Sequence, residues 1–349
     1  MSAPVRIVST SDRYDMEWEQ THFSAISPFP ISYQSVSVTS SAELVAAAQG
    51  AQAILIGARD AITEDVLSAL PDLTVIGRLS VGLDNIDLDA CTRHNVLVTH
   101  YPQYCTHEVA DHAIAMIYAL NRNLVGFDRT LRAGSWNTNM FDMGKLLHGQ
   151  RIRALRTLTL GIIGLGRIGQ TVARRMLGSV ARIIAFDPYL DPAIAADLDV
   201  ELVDLETLPK TSDIVTLHCP LTPETRHLIN TDTLALMSAD ALLVNTARGP
   251  IIDGVALYNA LSTGELAAAA IDVFEDEPLP MDDRLFSIDN IIHTPHAAYY
   301  SEQSADTIRT VTLGAVIDVL NGREPIHTAN PAVLAKLDLA PYQNAQSGH

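Results

Sequence analysis

Cysteine is scarce in this chain: Cys91, Cys105 and Cys219 are the only three in 349 residues. An odd number without CxxC spacing argues against a disulfide framework or a zinc knuckle, and points to packed thiols in a reducing compartment with no metal site. Long apolar runs are missing as well. Nothing approaches the ~20 residues needed to span a bilayer, and the start MSAPVRIVST has neither the charged nor the apolar region of a signal peptide. A soluble, cytoplasmic protein is the expectation. Positive charge is also in short supply, with 23 Lys and Arg against 41 Asp and Glu and a formal net charge of −18. Such a surface repels phosphate backbones, and no local basic cluster offsets it, so nucleic acid is not expected as a direct partner. A small anionic ligand would need a buried arginine of its own.

What the chain has in quantity is hydrophobic residues, 48% against 18% charged. That excludes disorder and, at about 100–200 residues per domain, predicts two domains, each with its own core. The runs VRIVS (5–9), AILI (53–56), TVIGRL (74–79) and VLVT (96–99) read as buried parallel strands, with helical stretches at 42–49 and 63–70 between them. Apolar residues at three- and four-residue steps, Val109, Ala113, Ile117, Leu120, Leu124, Phe127 and Leu131, predict one amphipathic helix from Thr106 to Arg132, closed by Gly134. Residues 135–156 show no clear period and read as a connection.

From 157 the alternation resumes with TLTLGII, RIIAF (182–186), DIVTLHC (213–219), ALLVNTA (241–247), AAAAIDVF (267–274) and NIIHT (290–294). Six strands with helical stretches between them predict an α/β, doubly wound sheet. A last helix is expected from Glu302 to Asn321, with Ser301 as N-cap and Gly322 as its stop. The final ~20 residues are expected to be extended or mobile.

Within the second block, Gly164, Gly166 and Gly169 follow a predicted strand and open a predicted helix, in the sequence GIIGLGRIG. The first glycine permits a tight turn, the second lets a pyrophosphate approach the backbone, and the third lets helix and strand pack closely. The next strand ends in Asp187, 18 residues after Gly169. A carboxylate there accepts hydrogen bonds from ribose hydroxyls and repels a 2′-phosphate, so NAD(H) is expected over NADP(H).

Three polar residues stand at or just beyond the ends of later strands, where open α/β sheets place their ligands: Arg248 in VNTARG, Glu277 in DVFEDEP and His296 in HTPHAA. A histidine held by a carboxylate can donate a proton to a carbonyl oxygen near neutral pH. An arginine fork can hold a carboxylate and that carbonyl with two parallel bonds, which an ammonium cannot. Singly, each has a plainer reading, as a turn residue, an acidic loop residue or a structural histidine. Their joint placement beside a dinucleotide fold favours the chemical one.

Taken together, SVGLDNIDL (80–88), GIIGLGRIG (161–169), LHCPLT (217–222), LVNTARG (243–249), AIDVFEDEP (270–278) and TPHAA (294–298) resemble the D-isomer-specific 2-hydroxyacid dehydrogenase family over nearly the whole chain. The resemblance implies Arg248, Glu277 and His296 as the catalytic set. It implies a Rossmann NAD-binding domain, about 103–300, inserted into a discontinuous flavodoxin-like substrate domain of about 1–102 plus 301–349. The activity it implies is NAD-dependent interconversion of a 2-keto acid and a D-2-hydroxy acid in a homodimer, with His296 as acid and base.

The implied cofactor contacts are Thr106 and Val109, then Gly164, Gly166, Arg167, Ile168 and Gly169, then Asp187, Pro188 and Tyr189. His218, Cys219, Pro220, Thr225, Thr246, Ala247, Arg248, Asp272 and His296 complete the set; for Val109 and Cys219, ordinary core packing is the plainer reading and is compatible with the contact. Within the family, FDPYL (186–190) and TPHAAYYSEQS (294–304) look like the C-terminal-binding corepressor branch. A dinucleotide-sensing scaffold for protein partners is therefore the alternative. That branch implies substrate contacts by Arg78, Val81 and Gly82, where Arg78 otherwise reads as a strand-end ion pair. Tyr299 stands where the branch usually carries tryptophan against the substrate, so its substrate preference does not transfer. Trp136 matches a family position reaching a neighbouring subunit's pocket, or else packs in the core.

Overall fold

A computed structural model describes residues 3–11, 16–134 and 152–342. The chain divides into two compact units, one made of residues up to Tyr104 together with those from Glu302 on, the other of Cys105–Ser301. Trp136 and most of the 135–156 connection lie outside the described residues, as does the end of the chain from 343.

In the first unit, β1 (Val5–Ser9), β2 (Ile31–Ser35), β3 (Ala53–Ile56), β4 (Val75–Arg78) and β5 (Leu97–Thr99) pair in parallel in the order β2-β1-β3-β4-β5. This is the flavodoxin-like doubly wound order. The central strands β3 and β4 are buried at every residue, so their sequences are continuously apolar up to Arg78. β2, ISYQS, is not among the expected strands. It is an edge strand with only Tyr33 buried, and it carries no β-branched run to announce it. Four helices connect these strands: α1 (Met16–Ile26), α2 (Ser41–Ala48), α3 (Glu64–Ser68) and α4 (Leu88–Arg93). Ser40, Thr63 and Asp87 cap the last three with side-chain oxygens.

The second unit begins with α5 (Thr106–Asn121) and α6 (Leu124–Arg132). These two correct the single helix expected from Thr106 to Arg132. Asn123 adopts a left-handed backbone, φ 49°, and breaks the helix there. Asparagine accepts that conformation more readily than most residues, and the apolar spacing runs on undisturbed across the break, which hid it.

Its sheet holds β6 (Thr159–Ile163), β7 (Arg182–Phe186), β8 (Glu201–Leu202), β9 (Ile214–Leu217), β10 (Leu242–Asn245), β11 (Ala268–Ile271) and β12 (Ile291–His293), all parallel, in the order β12-β11-β10-β9-β6-β7-β8. The order reverses between β6 and β9, the switch point of a Rossmann sheet, where such folds bind dinucleotides. The two-residue edge strand β8 makes seven strands where six were expected. Between the strands lie α7 (Arg167–Met176), α8 (Pro192–Asp197), α9 (Thr207–Thr211), α10 (Thr231–Leu236) and α11 (Gly254–Thr263). Apolar cores fill both faces of the sheet. A final helix, α12 (Glu302–Leu320), packs on β4 in the first unit, and Gly322 at φ 72° ends it. Among the described residues no helix is long and apolar enough to cross a membrane.

Candidate active site

The glycine loop joins β6 to α7. Gly164 sits at φ 90°, and a Cβ there would lie 2.6 Å from the backbone nitrogen of Cys219, so only glycine lets the loop after β9 pass so close. A Cβ on Gly169 would lie 2.2 Å from the Gly164 carbonyl oxygen. Gly166 differs: a Cβ there would meet nothing within 4 Å. This residue is the N-cap of α7, and no side chain caps the helix, whose first N–H groups have no intrahelical partner.

That opening fits a pyrophosphate, and two orphaned polar atoms nearby fit the rest of a dinucleotide. Thr246 Oγ1, after β10, and His218 Nδ1, after β9, are buried without a hydrogen-bond partner. Asp187 ends β7 and braces the loop. One oxygen accepts from the Leu165 N–H at 2.9 Å and the other from the Tyr189 N–H at 3.0 Å. Each retains a lone pair for a ribose hydroxyl. Pro188 and Tyr189 are exposed beyond it, Tyr189 at 90%. Arg167 is exposed and Ile168 half-buried on the first turn of α7. Val109 and the first residue of α5, Thr106, differ: Val109 is buried in the core and Thr106 half-exposed.

Cys219 is a free thiol pushed up to about 11 by burial, so it is not a nucleophile at neutral pH. Pro220 is exposed, and its carbonyl accepts from the Thr225 hydroxyl at 2.7 Å, which closes the loop after β9. Burial pushes His218 down to about 3, and its Nε2 pairs with Thr216 Oγ1 at 3.0 Å. Because the folded state holds this ring neutral, the unfolded chain takes up its proton first as pH falls below the ordinary value of 6.5. Stability from this residue is therefore complete above that value and is lost as pH falls toward 3. His218→Asn should remove up to about 2 kcal/mol of the acid-side decline between roughly pH 7 and pH 5. Urea denaturation of both proteins at the two pH values measures it, and parallel declines would contradict the assignment.

Arg248, Glu277 and His296 come together at the C-terminal edge of the same sheet. Arg248 follows β10 on a turn clamped by the fully buried Asn245, whose amide donates to the Arg248 carbonyl and whose oxygen accepts from the Ala247 N–H, both at 2.9 Å. The next residue, Gly249, lies against the Phe274 peptide: a Cβ there would fall 1.9 Å from the Phe274 carbonyl carbon. Phe274 in turn donates its N–H to Glu277 Oε1 at 2.9 Å, so the arginine and glutamate loops are locked in register.

Glu277 Oε2 lies 2.7 Å from His296 Nδ1. Burial works to raise the Glu277 pKa, but the His296 hydrogen bond and charge, the Phe274 N–H and the Arg248 charge outweigh it and hold it below the ordinary value. The carboxylate is thus ionised and accepts the Nδ1 proton, leaving Nε2 for exchange with a ligand. Tyr299 stands edge-on to the His296 ring, centroids 6.3 Å apart.

Asp272 has a part that the motif comparison does not supply. Fully buried at the end of β11, it accepts from the Thr294 hydroxyl, the Ala297 N–H and the Ala298 N–H, and its carbonyl accepts from the His296 N–H at 2.7 Å. It fastens the loop that carries the histidine. His112 on α5, 3.1 Å from Thr294 Oγ1, joins this group although no motif pointed to it.

Arg78, Val81 and Gly82 belong to the first unit. Arg78 is 1% exposed, and donates from Nε to the Gly82 carbonyl at 2.7 Å and from Nη1 to the Gly57 carbonyl at 2.5 Å. His100 bonds the Val81 carbonyl at 2.7 Å. These contacts brace the loop at 79–82.

Residues 114–298 match the family model of the D-isomer specific 2-hydroxyacid dehydrogenase, NAD binding domain. Among curated relatives, a D-3-phosphoglycerate dehydrogenase of Methanocaldococcus jannaschii is 40% identical over 80% of this chain and 52% of its own length. A glyoxylate reductase of Korarchaeum cryptofilum is 38% identical over 79% of this chain and 81% of its own. The chain thus spans about half the length of the phosphoglycerate dehydrogenases it matches. The crystal structure of D-lactate dehydrogenase from Aquifex aeolicus, complexed with NAD and lactic acid, superposes with a TM-score of 0.78 at 31% identity, covering 95% of this chain and 98% of that one.

Proposed function

The chain belongs to the D-isomer-specific 2-hydroxyacid dehydrogenase family, and from that premise we propose that it is an NAD(H)-dependent 2-keto acid reductase, which also runs the reverse oxidation of a D-2-hydroxy acid. The observation that carries this reading is the His296–Glu277 pair at 2.7 Å, within the field of Arg248 and on the same sheet edge as the glycine loop. When bound, NADH supplies the hydride that C2 accepts. The chain's own groups manage the remaining charge. The Arg248 fork holds the substrate carboxylate and carbonyl, fixing the orientation of C2. His296, its Nδ1–H held by ionised Glu277, gives the proton from Nε2 to the carbonyl oxygen as the alcohol forms, and accepts it again in oxidation.

Asp187 supports a preference for NADH over NADPH, since its charge opposes a 2′-phosphate. Tyr299 beside the His296 ring supports a role in choosing the substituent on C2, its smaller ring and hydroxyl giving the pocket a different volume and polarity from those an indole would give. The test is NADH oxidation against glyoxylate, hydroxypyruvate, 3-phosphohydroxypyruvate, pyruvate, phenylpyruvate and methylthio-oxobutyrate, with NADPH as control. NADH-selective turnover of one of them is the expected result. Tight NADH binding with no turnover of any would overturn the reductase reading.

A further inference from the structure

Two residues one turn apart on α5, Glu108 and His112, bond to the two ends of the segment that carries His296. Glu108 Oε1 accepts from the Ser301 hydroxyl at 2.9 Å, and His112 Nε2 lies 3.1 Å from Thr294 Oγ1. The Thr294 proton is committed to Asp272 Oδ1, so toward His112 the hydroxyl is the acceptor and the His112 N–H the donor. Asp272 passes the order on, holding Ala297 and Ala298 through its carboxylate at 2.8 and 3.0 Å and His296 through its carbonyl.

The residue at the end of this relay needs it. His296 has φ 53°, in the left-handed region that a residue with a Cβ keeps only where its surroundings hold it. The buried Asp272 charge needs donors as well, and His112 Nε2 stands 3.7 Å from its Oδ1.

We infer that His112 is a positioning residue: through Thr294 and Asp272 it sets the backbone of His296 and so the direction in which that ring presents Nε2. The kinetic part of the inference rests on the acid role given to His296 above. The test uses the full chain with His112→Leu and Thr294→Val, which remove the bond, their double variant, and His112→Gln and Thr294→Ser, which retain it. On a keto acid that the wild type reduces, each apolar variant should lower kcat roughly tenfold, as expected for a small misalignment of the acid. KM and the NADH Kd should stay within about twofold, and the double variant should be no worse than the poorer single one, because both act on one path. The Gln and Ser variants should recover most of the rate.

Unchanged kcat in folded His112→Leu, or losses that multiply in the double variant, would overturn the relay. Thr294→Val, nearly isosteric, decides the matter if His112→Leu does not fold. A second readout needs no turnover. In 15N-histidine NMR of the ligand-free protein, the His296 ring signals, assigned by their loss in His296→Gln, should move in His112→Leu and return in His112→Gln. Unmoved signals overturn the relay whatever the substrate; moved signals uphold it even if the wild type reduces no keto acid, in which case the acid role alone has failed.

Discussion

His296→Ala is expected to lower kcat for reduction by roughly a thousandfold, within the range that general-acid catalysis contributes, while NADH binding and thermal stability stay near those of the wild type. The ring sits on a loop whose backbone is fastened by Asp272, so removing the side chain leaves the loop's own hydrogen bonds in place. Glu277→Gln sharpens the test. Glu277 uses both oxygens as acceptors, one for the Phe274 N–H and one for His296 Nδ1. Glutamine has one oxygen. If it serves Phe274, its NH2 group faces Nδ1, which must then accept rather than donate, and proton uptake by the pair is disfavoured. The limb of the pH–rate profile that reports this proton in reduction should move to lower pH. A normal rate in His296→Ala, or an unmoved profile in Glu277→Gln, would remove the pair from the mechanism.

Why the pair was readable from sequence while its support was not follows from where each signal lives. Buried central strands such as β3 and β10 are almost continuously apolar, and a polar residue just past such a run is conspicuous; Arg248, after β10, announces itself in this way, whereas His296 follows the short edge strand β12 and is legible through the TPHAA motif. The edges β2 and β8 have one neighbour each and expose most of their residues, so their composition carries little sign of a strand. The break at Asn123 is a backbone event inside an unbroken apolar period. His112 reaches Thr294 across 182 positions of sequence, and nothing in the spacing of α5 separates it from a solvated helix residue. Arg78 shows the converse. Its place at the end of β4 suggests a substrate contact or an ion pair, and sequence carries no sign that the fold buries it against two backbone carbonyls.

Arg248→Ala should cost kcat/KM roughly 30- to 5,000-fold, the equivalent of about 2–5 kcal/mol for losing one side of a charge-assisted contact in a desolvated site. The division of that loss between kcat and KM carries the mechanism. An arginine that only attracts the substrate anion would lose KM alone, and lysine would restore most of it, since the charge remains. An arginine that also aligns C2 must lose kcat, and lysine cannot replace two parallel N–H donors. The setting argues for alignment. Asn245 holds the Arg248 carbonyl and the Ala247 N–H, and Gly249 locks that turn against Phe274, which holds Glu277. Such bracing adds little to attracting an anion and a great deal to holding a fork at a fixed angle to the acid. Arg248→Lys is therefore expected to recover part of KM and little of kcat, with both variants still binding NADH. Full recovery of kcat by lysine would reduce Arg248 to a simple anion-binding charge.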